Sequence, residues 1–248
     1  MNKVRHALLA VFLCMCAMHA EVITLDEAKL QMLKGKNIVL QDPALSIKGV
    51  IEKPDSYILK VEAQLPQSSQ YMTVFLDKKT SELYIGSGYD KEGNAILFPQ
   101  DVNIITQGIA FSYGKGEVEL YIVMDPECSY CRRFEKAVVG KLDDFTVHVI
   151  LFPLPIHERA PAMIEWIMQG KDDADKKARL EDIMLKDSMH YEVLIKENKS
   201  PFAYSEFVDA YIKKANLATM ELNVRGTPSL FNAEFTPVLQ EELLEEIK

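Results

Sequence analysis

The sequence predicts two folded blocks, an antiparallel α+β block followed by an α/β block whose sheet is covered on both faces. Three observations carry this. The first half offers short β-rich runs, "SYILKVEAQL" and "YMTVFL" among them, separated by turn signals such as "KPDS" and "LDKKTS". The second half offers "VELYIVMD", apolar on both faces as a central strand must be when both sides are covered. "CRRFEKAVVGKLDDF" follows it with Phe134, Val138, Leu142 and Phe145 at helical spacing, before the buried run "FTVHVILF".

The chain has 248 residues, 48% of them hydrophobic, enough to bury a core and to hold two domains. Its formal net charge of −9 argues against a nucleic-acid partner, since phosphate backbones demand clustered Lys and Arg. Charged residues make up 26%, an ordinary share for a folded protein.

Residues 1–20, "MNKVRHALLAVFLCMCAMHA", have the layout of a secretory signal peptide. Lys3 and Arg5 precede an apolar run from Ala7 to Met18, and Ala17 or Ala20 can end a cleavage site. An uncleaved membrane anchor is the alternative, although the run is short for a comfortable span. Cleavage would remove Cys14 and Cys16 and take the net charge from −9 to −11, by loss of Lys3 and Arg5. Cys128 and Cys131 would then be the remaining cysteines, in a compartment where disulfides persist.

Residues 21–98 form the first block. Thr24 and Glu27 read as a capping box opening a helix with Leu25, Ala28, Leu30 and Leu33. The runs "ALSIKGVIEK", "SYILKVEAQL", "YMTVFL", "ELYIGSG" and "NAILF" then predict a small antiparallel sheet of about five strands packed on that helix. The block offers no acid pair, His cluster or Gly-rich phosphate loop, and so reads as a packing or assembly domain. Residues 99–115 suit a linking helix, with Ile104, Ile105 and Ile109 on one side, and "YGKGE" marks a boundary near Gly116.

Residues 116–248 form the second block. Val118–Phe152 reads as strand–helix–strand. Helical segments follow around Pro161–Gly170, Ala174–Lys186 and Ser205–Leu222, then "GTPSLFN", a short strand near Ala233–Thr236 and a last helix from Val238. That order is the order of a thioredoxin-like fold with a helical insertion between its halves.

The pair in "DPECSYCRRFEK" admits four readings. A zinc site needs further ligands, and His148, His157 and His190 lack paired spacing. Haem attachment needs His directly after the pair, where Arg132 stands. A structural disulfide across so small a loop removes little unfolded-state entropy. A redox pair has a mechanism. Cys128 would sit at a helix N-terminus, where unpaired N–H groups and the dipole favour a thiolate. Arg132, Arg133 and Lys136 add positive charge, which Asp125 and Glu127 oppose. Cys131, one turn further in, would be buried and would resolve mixed disulfides. No metal or other cofactor is expected.

"DPECSYCRRFEK" followed by "VRGTPSLF", with "LYIGSGYD" near the end of the first block, resembles the periplasmic DsbC/DsbG family of disulfide isomerases. The resemblance spans Glu21–Lys248. It implies a cystatin-like α+β dimerisation domain joined by a linker helix to an α/β thioredoxin-like domain with a helical insertion. It implies Cys128 as nucleophile and Cys131 as resolving cysteine, both forming the redox-active disulfide, with Ser129 and Tyr130 contacting substrate. Thr227–Pro228 matches the family's cis-proline loop, where the Thr227 backbone would bind an extended substrate strand and its side chain would pack on the Cys128 sulfur. The second disulfide of DsbC itself is absent, because "IMQG" after Trp166 holds no cysteine.

The resemblance further implies a periplasmic homodimer that isomerises or reduces non-native disulfides in exported proteins. A membrane electron donor of the DsbD kind would keep it reduced. The alternatives are a dimeric thiol oxidase with an oxidising partner of the DsbB kind, and a folding chaperone with incidental cysteines. Ile122 stands where thioredoxin keeps a buried acid, so Cys131 needs another proton acceptor. His157 in "LPIHERAP" is the candidate, set against its reading as a solvated loop residue.

Overall fold

The computed structural model describes residues 22–23, 25–64, 69–93, 95–96, 98–142, 144–198 and 200–247. The signal-peptide expectation for residues 1–20 lies outside them. The chain divides into two compact units. One holds the described residues up to Val61 with Thr73–Gly88, and the other holds Glu62–Met72 with the chain from Tyr89 onward.

The first sheet runs β1 (Val22–Ile23), β2 (Leu45–Glu52), β3 (Ser56–Gln64), β4 (Ser69–Asp77) and β5 (Leu83–Ile85), in sequence order. Helix α1 (Glu27–Lys36) and the 3₁₀ turn Ile38–Gln41 lie between β1 and β2. Leu33 and Leu40 from these helical pieces are buried with Val50, Ile51, Ile58, Leu59, Val61, Val74 and Leu76. The cap of α1 differs from the expected box: Asp26 accepts from the Lys29 N–H at 2.7 Å, and Thr24 lies outside the described residues. Carboxylate and hydroxyl are both good caps, and the residue adjoining the helix takes the role. Of "NAILF", Ala95 makes an isolated antiparallel bridge to Tyr89, and Asn94 and Leu97 lie outside the described residues.

The second sheet has the order β10 (Pro237–Val238), β9 (Ser229–Phe231), β7 (Val118–Met124), β8 (Phe145–Leu151), β6 (Phe111–Gly114). β7 and β8 are parallel and every other pairing is antiparallel. A parallel pair needs a crossover, which α3 (Ser129–Val138) supplies. β7 is central, with Leu120 through Met124 all buried. The helix stops earlier than the apolar spacing suggested. Gly140 at φ 70° breaks it, leaving Leu142 in the loop and Phe145 as the first residue of β8.

The expected linking helix over 99–115 is helical only as α2 (Val102–Gln107), capped by Asp101. It packs on α7 (Glu206–Glu221) so closely that a Cβ on Gly108 would lie 2.4 Å from the Ala218 Cβ. Phe111–Gly114 is an edge strand of the second sheet, so the unit begins before Gly116. That glycine is a close approach rather than a domain boundary, because a Cβ there would meet the Asp144 carbonyl at 1.9 Å.

The insertion comprises α4 (Ala160–Met168), α5 (Asp173–Lys186) and α6 (Glu192–Glu197) before α7. Tyr211 on α7 ties to β8 by accepting from Leu151 N at 2.8 Å and donating to Leu151 O at 3.2 Å. The short strand expected near Ala233–Thr236 is a turn around Asn232, with β10 just after it and α8 (Gln240–Glu246) closing the described chain.

Candidate active site

β7 ends at Met124, and the next four residues set the site. The Asp125 carbonyl accepts from Cys128 N at 3.1 Å, a tight turn that delivers Cys128 as the N-cap of α3. Cys128 makes no side-chain cap bond, so its sulfur is not spent on the helix it opens. Its Sγ–H donates to the Thr227 carbonyl at 3.5 Å. Both cysteines are free thiols; Cys128 is 5% exposed and Cys131 0%. Burial pushes the Cys131 thiol up, an effect that the nearby Thr227 hydroxyl and Asp125 backbone only partly offset.

Thr227–Pro228 is a cis peptide immediately before β9. The contact between Thr227 and Cys128 is made by the backbone carbonyl, whereas sequence reasoning assigned it to the side chain. The Thr227 hydroxyl is buried without a hydrogen bond of normal geometry among the described residues. Tyr130 is 65% exposed beside the pair, and the Arg133 guanidinium lies over its ring at 4.3 Å. Arg132 pairs with Asp187, which is held in the left-handed conformation at the end of α5.

The buried acid of this site is Asp125. Its Oδ1 accepts from Glu127 N at 2.8 Å, and its Oδ2 from Leu154 N at 2.6 Å. His157 Nδ1 lies 2.8 Å from the same Oδ2, which corrects the reading of His157 as a solvated loop residue. Glu127 is also engaged. It accepts from Arg159 N at 2.7 Å, Ala160 N at 2.9 Å and Arg159 Nε at 3.2 Å, serving the first N–H groups of α4. Sequence reasoning treated both acids only as charges opposing the arginines. The available signal was "MDPE" at a strand end, where an Asp can bond the N–H two residues on.

The three histidines considered for zinc are separated. His157 joins Asp125, His148 Nδ1 lies 2.8 Å from Ser112 Oγ, and the His190 ring lies tilted against Trp166 with centroids 5.6 Å apart. Among the described residues no group of three or more His, Cys, Asp or Glu is placed to hold a metal ion.

A thiol at a helix start, a second sealed one turn behind it and a facing cis-proline loop give this sheet the chemistry of a thiol–disulfide oxidoreductase. The chain belongs to the thioredoxin-like domain family, whose model matches residues 112–238. No curated protein matches it. Among solved structures it is similar to ScsC of Proteus mirabilis in a transitional conformation, at 20% identity over 58% of this chain and 74% of that one, TM-score 0.44. DsbG of Helicobacter pylori matches at 15% identity over 81% of this chain and 98% of that one, TM-score 0.39. A conserved protein of unknown function from Enterococcus faecalis V583 matches at 15% identity over 60% and 94%, TM-score 0.43.

Proposed function

We propose that the protein is a thiol:disulfide interchange protein that isomerises or reduces non-native disulfides in exported proteins. In this reading it works in the periplasm as a homodimer and is kept reduced by a membrane electron donor of the DsbD kind. The observation that carries the reading is the asymmetry of the dithiol, with Cys128 at the opening of α3 and Cys131 sealed behind it.

Cys128, as thiolate, attacks a substrate disulfide. One substrate sulfur becomes bound to Cys128 and the other leaves as a thiolate. That thiolate attacks a different bond, which is isomerisation. Otherwise Cys131 attacks Cys128, closes the 128–131 disulfide and releases reduced substrate. The Thr227 carbonyl and the exposed Tyr130 flank the sulfur on which the substrate would be held.

The test is covalent trapping in cells that produce the full chain. Cys131→Ala should accumulate mixed disulfides with exported proteins on non-reducing gels, and Cys128→Ala should not. The reverse pattern would exchange the two roles. Thiol trapping at lysis should find the pair reduced. An oxidised pair would make the protein an oxidase, and a mature chain that sediments as a monomer would remove the dimer.

A further inference from the structure

We infer that the cavity between α3, α5 and β6 is a binding site for a primary alkylammonium group, with Glu135 as the anion that receives it. The inference does not depend on the thiol-exchange reading above. It concerns the C-terminal half of the helix that Cys128 opens.

The starting point is one charge in the wrong place. α3 buries Phe134 and Val138, as its apolar spacing requires, and it also buries Glu135, which is 4% exposed. A carboxylate so placed ordinarily has a partner, because an unpaired buried charge is costly. Among the described residues Glu135 makes no hydrogen bond and no ion pair. Its side chain lines a cavity of about 290 Å³ instead.

The walls of that cavity define the ligand. Lys177 and Glu181, one turn apart on α5, pair with each other and line it too. The Lys177 ammonium lies 4.8 Å from the centre of the Tyr113 ring on β6, so an ammonium held against an aromatic face is already chemistry of this site. Two carboxylates and one ammonium leave the lining one positive charge short. Val138, Val139 and Leu142 offer an apolar wall for a methylene stem, and exposed Val139 and Gly140 mark the opening. The volume lies just below the range of about 300–1,000 Å³ usual for ligand sites, which suits a slim chain with one charged end. A divalent metal fits poorly, since among the described residues no third His, Cys, Asp or Glu joins the two carboxylates.

Without a ligand, a proton meets the same deficit. Burial pushes the Glu135 carboxyl up to about 7, with Lys177 opposing the shift and Glu181 adding to it. The Tyr113 hydroxyl stays protonated, raised by burial and by both carboxylates. Lys141, on the turn after α3, is exposed and lies outside the lining. Proton and alkylammonium therefore compete for one carboxylate. An alkylammonium, like the lysine side chain, keeps its charge to about pH 10, so the ligand gains wherever Glu135 ionises. Free aliphatic amines and the lysine side chain of a partner protein share this chemistry.

The experiment is calorimetric titration of the full reduced chain with butylammonium chloride. Potassium chloride is the ionic-strength control, and acetyl-lysine amide with a free side chain is the second probe. Butylammonium should bind about tenfold more tightly at pH 8 than at pH 6, which is the ratio of ionised Glu135 at the two values. Glu135→Gln keeps the shape, removes the buried charge and should fold. It should lose about tenfold or more in affinity at pH 8, the worth of a hydrogen bond to a charged partner. Binding of butylammonium alone supports a site for free amines, and equal binding of the lysine derivative supports one for protein-borne lysine. The inference is overturned if butylammonium gives no more heat than potassium chloride at pH 8, or if its affinity is the same at both pH values. It is overturned equally if Glu135→Gln binds as tightly as the wild type.

Discussion

Glu52 in the first unit and Asp125 in the second each gather hydrogen bonds from several directions, with opposite physical settings. Glu52 accepts from Lys29 Nζ and Lys78 Nζ, each at 2.7 Å, over the ring of Tyr57. These bonds hold its carboxyl down at about 2, yet every partner is a flexible side chain in contact with water. Asp125 is sealed, and two of its donors are backbone N–H groups of the segments that frame the dithiol. Exposed ion pairs contribute little because solvent and salt screen them and their side chains are free to part. A buried carboxylate that satisfies backbone donors fixes the chain around it, because each donor left unmet costs free energy.

That contrast predicts unequal responses. Asp125→Ala should lower stability by about 3–5 kcal/mol in urea titration, from several donors left unmet at about 1–3 kcal/mol each. Glu52→Gln should shift the midpoint far less. Its carboxyl is depressed, so its contribution is present above about 4.5, is lost as pH falls towards 2, and fades with added salt. Equal effects from the two substitutions would break the comparison.

Glu135 on α3 sharpens it, being a buried carboxylate that the fold prefers protonated. Burial pushes it up to about 7, with Lys177 opposing and Glu181 adding to the shift. A raised acid pKa means the native state holds the proton more tightly. Stability is therefore fully present below about 4.5 and declines as pH rises to 7. Glu135→Gln should remove that slope and stabilise the protein above pH 7 by about 2–3 kcal/mol, read from urea midpoints across pH. A wild-type midpoint that stays flat between pH 4.5 and 7 would contradict the shift.

The smallest effect concerns Thr227. Its hydroxyl is buried without a full hydrogen bond, while its carbonyl makes the contact with Cys128. Thr227→Val removes the hydroxyl and keeps the carbonyl, so stability should rise by about 1 kcal/mol in the same titration. A large loss of stability would mean that the hydroxyl has a partner.

What could be read from the sequence was what depends on neighbours along the chain. Leu120–Met124, apolar on both faces, announced a central strand, and Phe134 and Val138 announced the helix after it. Cys128 and Cys131 at that junction placed the dithiol, whereas the facing Thr227–Pro228 loop came from the family resemblance and not from local spacing. What could not be read depends on distant partners. Nothing local to Asp125 indicates that Leu154 and His157 close over it. Nothing local to Glu127 indicates that it serves the start of α4. Phe111–Gly114 looked like the tail of a linker because an edge strand of four residues shows its nature only beside β8. The two-residue β1 and the lone Ala95 bridge are too short to carry a period.

Glu127 precedes Cys128 by one peptide bond and holds the first turn of α4 through two backbone N–H groups and the Arg159 side chain. The insertion is thus moored beside the nucleophile. A force that draws α4 away from the sheet pulls first on the residue next to Cys128, and the loop and the helix loosen or hold as one mechanical piece.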